Sequence, residues 1–437
     1  MSGILEREAL ENAFNHVINR HEIFRTAYWP ILGSVATGIN KWNTVCQSCR
    51  MNPGLFLQNV KFKQSIQPAV TMGLSYYDIS GYDDEDKNIE ISVIADGIIE
   101  KRYIYESPPL TRSALIRTAK SEHILIVVAA HLIADGVSMR IYEKELAHAY
   151  NALINKQSIN LPDVKIQYAD YAAWMKYRLE SGFLDSMKSY WQRQFDGFTP
   201  TDAAILPFTD MEGSRDDPDF SIDVKYYHHP VSDELGEEIR KYAGSVNMTP
   251  FSIAMTGFIL CLHYESGKND LSILTFFANR PRPEMENIIG MFATGNMIRV
   301  KVNAYDSFHQ CAASVSESIN GALKNQELSV LPSDSTIYKS RYDFVVHRSI
   351  ACESWVNHEC VSFSGLDAER AIIARNKSEY ALKSYVIESS KKLSLLFQYN
   401  LDLFDGSDIR RIAARTENII REIITNPSAV ISSLEKS

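Results

Sequence analysis

The most informative stretch of this sequence for fold and function is Ile124-Leu125-Ile126-Val127-Val128-Ala129-Ala130-His131-Leu132-Ile133-Ala134-Asp135-Gly136. Its first seven residues are apolar, which is the pattern of a strand buried on both faces of a sheet. His131 follows at once, Asp135 comes four residues later, and helical spacing of apolar residues begins after Gly136. We therefore expect the His131 imidazole at a strand end, where a rigid scaffold can expose a base in a cleft.

A single His-x-x-x-Asp-Gly motif is weak, because an arbitrary copy is more often an ordinary turn. In this chain further short motifs lie on both sides of it, in a fixed order and over almost the whole length. They are Arg20–Thr26, Tyr168–Trp174, Tyr190–Phe195, Thr249–Phe251, Ala278–Arg280, Ile289–Phe292 and Tyr399–Phe404.

This series of motifs resembles the condensation domains of nonribosomal peptide synthetases and their acyltransferase relatives. The resemblance implies a mixed α/β (α+β) fold, that of chloramphenicol acetyltransferase. Two such lobes would form a V-shaped pseudo-dimer with a central channel. We place the N-terminal lobe, which carries the His131 motif, at residues 1–175 and the C-terminal lobe at residues 176–437.

The resemblance also implies roles for the motif residues. His131 would be the catalytic or acceptor-positioning base, and imidazole suits proton transfer because its pKa lies near neutrality. Gly136 allows close approach to the backbone, and its N–H is a candidate donor to the oxyanion that develops when an acyl group is transferred. Asp135 would pair with Arg280 and hold the loop that presents His131, joining that loop to the second lobe.

The function implied is a free-standing condensation-type acyltransferase of nonribosomal peptide or related secondary-metabolite biosynthesis, including antibiotics. It would join a carrier-tethered acyl or aminoacyl thioester to an amine, or to a hydroxyl, and would bind no cofactor of its own. The 437 residues leave no room for an adenylation or carrier domain. Peptidyl or acyl carrier proteins would therefore deliver the substrates in trans on phosphopantetheine.

Two alternatives remain open at this point. One is an acyltransferase that uses acyl-CoA, although the Asp-Phe-Gly-Trp-Gly motif of the plant-type branch is absent. The other is a catalytically silent docking module that recruits a carrier protein or a tailoring enzyme.

Three departures from the family pattern bear on activity. Ala130 stands where the peptide-synthetase members carry the first of two histidines, and we expect it to be buried and compatible with catalysis. Phe292-Ala293-Thr294-Gly295 replaces a Phe-x-Asn-Thr sequence. The chain also begins close to Arg20, so we expect the first strand and helix of a full condensation domain to be missing.

Composition limits the other classes of function. A chain of 437 residues exceeds the usual size of one hydrophobic core, which favours two lobes. A formal charge of −9 disfavours a general nucleic-acid binder. No apolar run reaches the roughly 18 residues of a membrane span, and the N-terminus lacks the apolar region of a signal peptide. We therefore expect a cytoplasmic protein that binds neither nucleic acid nor membrane.

Cysteine usage adds one open question about metal binding. Six cysteines without a secretion signal indicate reduced thiols. Cys46 and Cys49 have the spacing of a redox or zinc pair, but the nearest further ligands, Cys352, His358 and Cys360, form no regular second half. We expect no metal site. The Gly-x-Ser-x-Gly motif of serine hydrolases and the glycine-rich phosphate loop of nucleotide enzymes are both absent.

Periodicity predicts alternating helices and strands. A helix is expected over about Glu6–His21, a helical tandem over about Tyr168–Phe195, and a linker over Phe198–Phe220. Thr249 with Pro250 is the pattern of a helix start. Tyr385–Ile387 and Leu393–Gln398 indicate a hairpin, and a last helix is expected over Asp408–Ile424.

Overall fold

The computed structural model describes residues 1–30, 62–198, 223–328, 350–356, 360–370, 378, 380–389 and 392–436. The chain divides into two compact units. The first comprises Met1–Phe183, Arg280–Ala293 and Glu359–Ala371, and the second comprises Leu184–Asn279, Thr294–His358 and Ile372–Ser437. The lobes drawn from the sequence, 1–175 and 176–437, are continuous and stay a prediction.

Helices and strands are both plentiful, as the mixed α/β fold requires. The α-helices are α1 (Arg7–Arg20), α2 (Asp84–Ile99), α3 (Gly136–Ile154), α4 (Tyr168–Glu180), α5 (Asp185–Gln194), α6 (Asp233–Ser245), α7 (Pro250–Ser266), α8 (Phe308–Lys324) and α9 (Gly406–Thr425). The strands are β1 (Ser2–Gly3), β2 (Thr26–Pro30), β3 (Phe62–Ile66), β4 (Leu74–Asp78), β5 (Thr111–Ala119), β6 (Glu122–Ala129), β7 (Val224–Pro230), β8 (Asp270–Phe277), β9 (Thr294–Lys301), β10 (Ile350–Val356), β11 (Leu366–Asp367), β12 (Leu382–Glu388) and β13 (Leu393–Asn400). Short 3₁₀ helices cover Glu22–Arg25, Pro283–Met285 and Ile431–Lys436.

Each unit has its own principal sheet. In the first unit five strands lie in the order β11-β1-β6-β5-β4, and β2 pairs with β3 separately. In the second unit six strands lie in the order β7-β13-β12-β10-β8-β9. The hairpin predicted near residues 385–398 is confirmed, since β12 and β13 pair antiparallel from Leu382↔Tyr399 to Glu388↔Leu393.

The strand before His131 is present but is less buried than the sequence predicts. Only Ile126 of β6 is fully buried, and the other apolar residues of the strand are partly exposed. The reason is that β5 pairs with β6 along its whole length, whereas the two-residue β1 reaches it only at Glu122. Both faces still contact apolar clusters: Ile124 and Val128 pack with the α2 cluster, and Leu125 and Val127 pack with the core that includes α1 and α3.

Helix starts follow the sequence signals. Thr249 caps α7 by accepting the Ser252 N–H at 3.0 Å, with Pro250 in the first turn, as predicted. The first helix and the last helix lie within one or two residues of their predicted bounds. The helical tandem is interrupted between Glu180 and Asp185, where the boundary between the units falls. Most of the predicted linker, from residue 199 on, lies outside the described residues.

Within the described ranges no single helix is long and apolar enough to cross a bilayer, and α6 and α7 reach that length and hydropathy only together, as a pair bent by 106°.

Candidate active site

The motif turn consists of residues 130–136 and connects β6 to α3. His131 to Ile133 form a turn closed by the Ile133 N–H, which donates to the Ala130 carbonyl at 3.0 Å. His131 and Gly136 are exposed, whereas Ala130 and Asp135 are buried. The turn thus presents an imidazole to solvent at the end of a strand, in the position that the sequence predicts.

The hydrogen bond of the His131 ring decides which nitrogen can act as a base. Nδ1 lies 3.0 Å from the carbonyl oxygen of Ala134. A carbonyl oxygen only accepts hydrogen bonds, so we assign the proton of the neutral ring to Nδ1. Nε2 then carries the lone pair, and the short turn itself fixes the ring orientation.

Asp135 is the most heavily hydrogen-bonded side chain of the motif. Its Oδ1 accepts from the Ser138 N–H (2.8 Å), the Ser138 hydroxyl (2.7 Å) and Arg280 Nη2 (3.2 Å). Its Oδ2 accepts from Arg280 Nη1 (2.7 Å) and from the N–H groups of Phe292 (3.0 Å) and Ala293 (3.1 Å). The carboxylate is also the N-cap of α3, so it fixes the start of that helix as well as the turn before it.

Ser138 is a member of this network that sequence reasoning missed. Its hydroxyl lies 2.7 Å from both Asp135 Oδ1 and the Gly290 carbonyl, and donates its one proton to either. It accepts from the Gly290 N–H and from Arg280 Nη2, both at 3.0 Å. A serine three residues after an N-cap aspartate was the available sequence signal.

Arg280 approaches the motif turn from a distant part of the chain. Its guanidinium also donates to the Ile288 carbonyl at 3.2 Å and lies 4.2 Å from the centre of the Phe292 ring. The side chains of Arg280 and Asp135 are 5% and 2% exposed, so this is a buried ion pair. Arg280–Ala293 groups with the first unit, so both partners of the pair lie in one unit, and a role of the pair in joining two lobes stays a prediction.

The environment of Asp135 keeps it charged. Burial alone raises the pKa of this carboxyl group. The hydrogen bonds and charge of Arg280, together with the hydrogen bonds of Ser138, outweigh burial and hold the pKa below its usual value. At neutral pH the pair is therefore ionised on both sides.

The two motifs around Tyr168 and Gly290 pack against each other beside this network. The Tyr168 hydroxyl donates to the Met291 carbonyl at 2.6 Å, and its ring lies so close to Gly290 that a Cβ there would come within 1.9 Å. The Phe292 ring packs against Tyr168 and Tyr171 at 5.1 and 4.4 Å between centres. Gly290 is thus required for close packing, and the aromatic contacts fix the segment that carries Arg280.

The Arg20–Thr26 motif supports α3 at a point farther along the helix. His21 is buried, and its Nε2 lies 2.7 Å from Oε2 of Glu145, which Arg20 also contacts at 3.2 Å. The Gln167 side chain accepts from the Glu22 N–H and donates to the Arg20 carbonyl, which ties the motif to the start of α4. This motif therefore has a structural role in the first unit.

Gly136 begins α3 directly after the Asp135 cap. In the described part of the chain, and apart from its two chain neighbours and the backbone of its own helix, no atom lies within 4 Å of the position a Cβ would take. The first N–H groups of a helix have no partner within the helix and face an approaching anion. A carbonyl oxygen can therefore approach the backbone of Gly136 closely.

Ala130 is 5% exposed and belongs to the core of the first unit, which confirms the prediction that it is buried. Its N–H donates to the Leu110 carbonyl at 2.9 Å. The position directly before His131 therefore faces the interior while His131 faces solvent.

The cysteine pair with zinc-like spacing falls in a part of the chain that is not described. Cys46, Cys49 and His358 all lie outside the described residues. Among the residues that are described, no group of three histidine, cysteine or acidic side chains could hold a metal ion. Cys352 is fully buried in the second unit, and burial raises the pKa of its thiol.

Comparison with known proteins gives a consistent result. A family model described as "Condensation domain" matches residues 54–436. The chain is 23% identical over 442 residues to chondramide synthase cmdD of Chondromyces crocatus, an alignment that covers 99% of this chain and 10% of the synthase. The chain thus spans a small part of the length of that relative.

Solved structures show the same fold. The complex of the X-domain and OxyB from teicoplanin biosynthesis contains a chain with a TM-score of 0.77 and 20% identity, covering 99% of this chain and 88% of that one. The condensation domain from the monacolin K polyketide synthase MokA gives a TM-score of 0.75 at 16% identity, covering 99% and 92%. These likenesses confirm the chloramphenicol-acetyltransferase-like α/β fold, and at such low identity they bear on the fold alone.

Proposed function

This chain belongs to the condensation domain family, and we propose that it is an active acyltransferase that forms an amide, or an ester, from an acyl or aminoacyl thioester. One observation carries the proposal: His131 is exposed with Nε2 available, while Asp135 beside it is buried and held by Arg280 and Ser138. A turn with only a structural role would not require an exposed imidazole next to a buried, ionised carboxylate.

In the proposed reaction, the nitrogen of the acceptor amine attacks the thioester carbonyl carbon. Nε2 of His131 accepts a proton from that amine during the attack. The carbon–nitrogen bond forms, and the carbonyl oxygen becomes an oxyanion. The carbon–sulfur bond then breaks, the electron pair leaves with sulfur, and the proton on His131 is available to the thiolate. Binding both reactants next to one base supplies most of the rate, because the acyl group is already activated.

Gly136 has a supporting role in this scheme. The Gly136 N–H at the start of α3 would donate to the oxyanion, and the absence of a side chain on Gly136 lets the carbonyl approach it. Loss of a single donor to an oxyanion costs a factor of about 10²–10³ in rate in well-studied enzymes. A substitution by alanine here would obstruct that approach without touching the described neighbours.

We further propose that a carrier protein delivers the thioester on its phosphopantetheine arm. The experiment compares turnover of one acyl group attached to a carrier protein with the same acyl group on coenzyme A, at equal concentration. The carrier-bound form is expected to react much faster, because the carrier contributes binding energy that a small thioester lacks. Equal rates would instead place the protein among acyl-CoA-dependent transferases.

A catalytically silent docking module is the second candidate, and Ala130 is the observation that favours it. The chain lacks the first histidine of the family's usual pair, and one of its structural neighbours is an X-domain in complex with OxyB. In that case the protein would bind a partner without making product. Product formation by the wild-type chain, abolished in His131→Ala, would exclude the docking function as its sole activity.

A further inference from the structure

The six-stranded sheet of the second unit has two very different faces. On one face of β12 and β13, Leu382, Val386, Leu395 and Phe397 are buried in the core. The other face, here called the polar sheet face, carries polar and aromatic side chains. Its polar and aromatic members are Tyr226, Glu353, Trp355, Lys383, Tyr385 and Gln398, and by register the apolar residues Ile387 and Leu396 lie on the same face.

Register and contacts show that these residues form one continuous surface. Gln398 pairs with Lys383 on one side and with Tyr226 on the other, and its amide donates to the Tyr226 hydroxyl. Tyr385 pairs with Glu353 on the neighbouring strand. The Trp355 and Tyr385 rings lie 5.9 Å apart, which places both on this face.

Lys383 is a buried charge at the centre of this face. The residue is 8% exposed, and its ammonium lies 2.6 Å from Oε2 of Glu353. The same ammonium lies 4.7 to 5.0 Å from the ring centres of Phe276, Tyr380 and Tyr385. Removing both charges from water is costly, and packed apolar residues at these positions would stabilise the sheet as well or better. Stability alone is therefore a weak reason for this pair.

Glu353 is the part of the pair that reaches solvent, with 28% of its side chain exposed. A carboxylate offers about four acceptor positions, and the ammonium of Lys383 occupies only part of them. The remaining positions can accept hydrogen bonds from a ligand. Because Lys383 holds the carboxylate in place, the acceptor is already oriented before a ligand arrives.

The surroundings of Glu353 define the chemistry that fits. Trp355 and Tyr385 are partly exposed aromatic rings beside the carboxylate, and they favour a flat aromatic group. A cationic ligand is disfavoured because the Lys383 ammonium lies next to the same carboxylate. An aromatic ring with an uncharged donor, such as a phenol, satisfies both conditions.

We propose that the polar sheet face binds a small molecule that is aromatic and carries an uncharged hydrogen-bond donor, with Glu353 as the acceptor. The inference does not rest on the proposed acyltransferase function, because binding at this face does not require that reaction to proceed.

The test measures binding of two probes that differ by one hydroxyl group. N-acetyl-tyrosinamide and N-acetyl-phenylalaninamide are titrated into the full chain, and dissociation constants are obtained by calorimetry or ligand-detected NMR. The phenol is expected to bind at least about tenfold more tightly, because a hydrogen bond to a charged acceptor is lost with the hydroxyl. Equal affinity of the two probes for the wild-type chain would overturn the proposal, and this comparison needs no variant.

Two variants test whether the Glu353 carboxylate is the acceptor of the phenol hydroxyl. Glu353→Gln keeps the shape and removes the charge, so the preference for the phenol should fall to about threefold or less. The matched control is Asp270→Asn, which breaks another partly buried ion pair of the same sheet, with Arg299 at 2.6 Å. The control should lower the melting temperature and leave the preference unchanged. An equal loss of preference in both variants would show a general structural effect and overturn the role of Glu353.

His131→Ala separates this inference from the proposed function. The variant should retain the full preference for the phenol, since His131 lies outside the second unit and no reaction occurs with these probes. Retained preference in a wild-type chain that makes no product would leave the binding site standing while the acyltransferase proposal failed.

Discussion

The two units each contain a buried ion pair, and the two pairs differ in how completely they are satisfied. The Asp135 carboxylate receives donors on both oxygens, from Arg280, Ser138 and two backbone N–H groups, and neither side chain is more than 5% exposed. The Glu353 carboxylate is held by Lys383 but keeps 28% of its side chain exposed among aromatic rings. We call the first pair closed, because donors occupy both oxygens of its carboxylate, and the second pair open, because part of its carboxylate side chain is exposed to solvent.

The difference indicates different purposes. A carboxylate whose acceptor positions are all used cannot bind a ligand, so the Asp135 pair can only orient what surrounds it: the start of α3 and the turn that carries His131. A carboxylate that is fixed on one side and exposed on the other can bind a ligand without first being organised. The following predictions test this contrast.

Removal of Arg280 should have the largest effect on stability. Arg280→Ala leaves Asp135 as a buried charge without its cation, which costs about 3–5 kcal/mol. Denaturant unfolding of the full chain measures this. The control is Arg282→Ala, two residues away and exposed with its guanidinium 5.0 Å from the centre of the Trp174 ring, which should change the free energy of unfolding by no more than about 1 kcal/mol. Similar losses in the two variants would contradict a special role for Arg280.

The double variant tests whether the two residues act as one unit. Asp135→Asn and Arg280→Ala should each destabilise the protein, and the double variant should be less damaging than their sum. Residues in direct contact show coupling energies of about 0.5–3 kcal/mol, and a buried bidentate pair should lie near the upper end. Strict additivity would be incompatible with the contact at 2.7 Å.

Ala130→His tests the position before His131. Because Ala130 is buried in the core of the first unit, the larger side chain should destabilise the fold by about 1–3 kcal/mol through overpacking. The rate should change little, since this position faces away from the exposed imidazole. A large gain in product formation would mean that alanine here is an inactivating change, and the docking function would then be favoured.

The two pairs should lose stability at opposite ends of the pH scale. The pKa of Asp135 is lowered in the fold, since Arg280 and Ser138 outweigh burial, so its contribution is present above about pH 3.9 and lost as pH falls through the folded pKa. The pKa of Lys383 is raised, because Glu353 and Tyr385 outweigh burial, so its contribution is present below about pH 10.4 and lost as pH rises through the folded pKa.

Unfolding free energies across both ranges check this difference. Asp135→Asn should reduce the loss of unfolding free energy as the pH falls, and Lys383→Met should reduce only the loss as the pH rises. An unchanged acid limb in Asp135→Asn would mean that the carboxylate is not stabilised in its charged form.

Sequence reasoning could predict the parts of the site that depend on residues close together in the chain. The exposed His131 at a strand end, the helix after Gly136 and the capping of α7 by Thr249 all follow from neighbouring residues. The contact between Asp135 and Arg280 was implied by the resemblance, because 145 residues separate the two and no local pattern joins them.

What could not be predicted depends on contacts across the fold. The N–H groups of Phe292 and Ala293 donate to Asp135. A backbone donor cannot be predicted from the type of residue that carries it, because every residue except proline has one. Glu353 and Lys383 lie on β10 and β12, which are not consecutive strands of the chain, and each has the local pattern of an ordinary polar position in an alternating strand. Their pairing requires the order of strands in the sheet, which periodicity does not contain.

The most direct test of the proposed mechanism is the rate of product formation by His131→Ala with a carrier-bound thioester and an amine acceptor. We predict a loss of about 10²–10⁴-fold, with the melting temperature unchanged because His131 is exposed. His148→Ala, which removes another exposed histidine from α3 of the same unit, should keep the wild-type rate. Wild-type turnover in His131→Ala would contradict the claim that this imidazole, held by the closed Asp135 pair, is the base of the reaction.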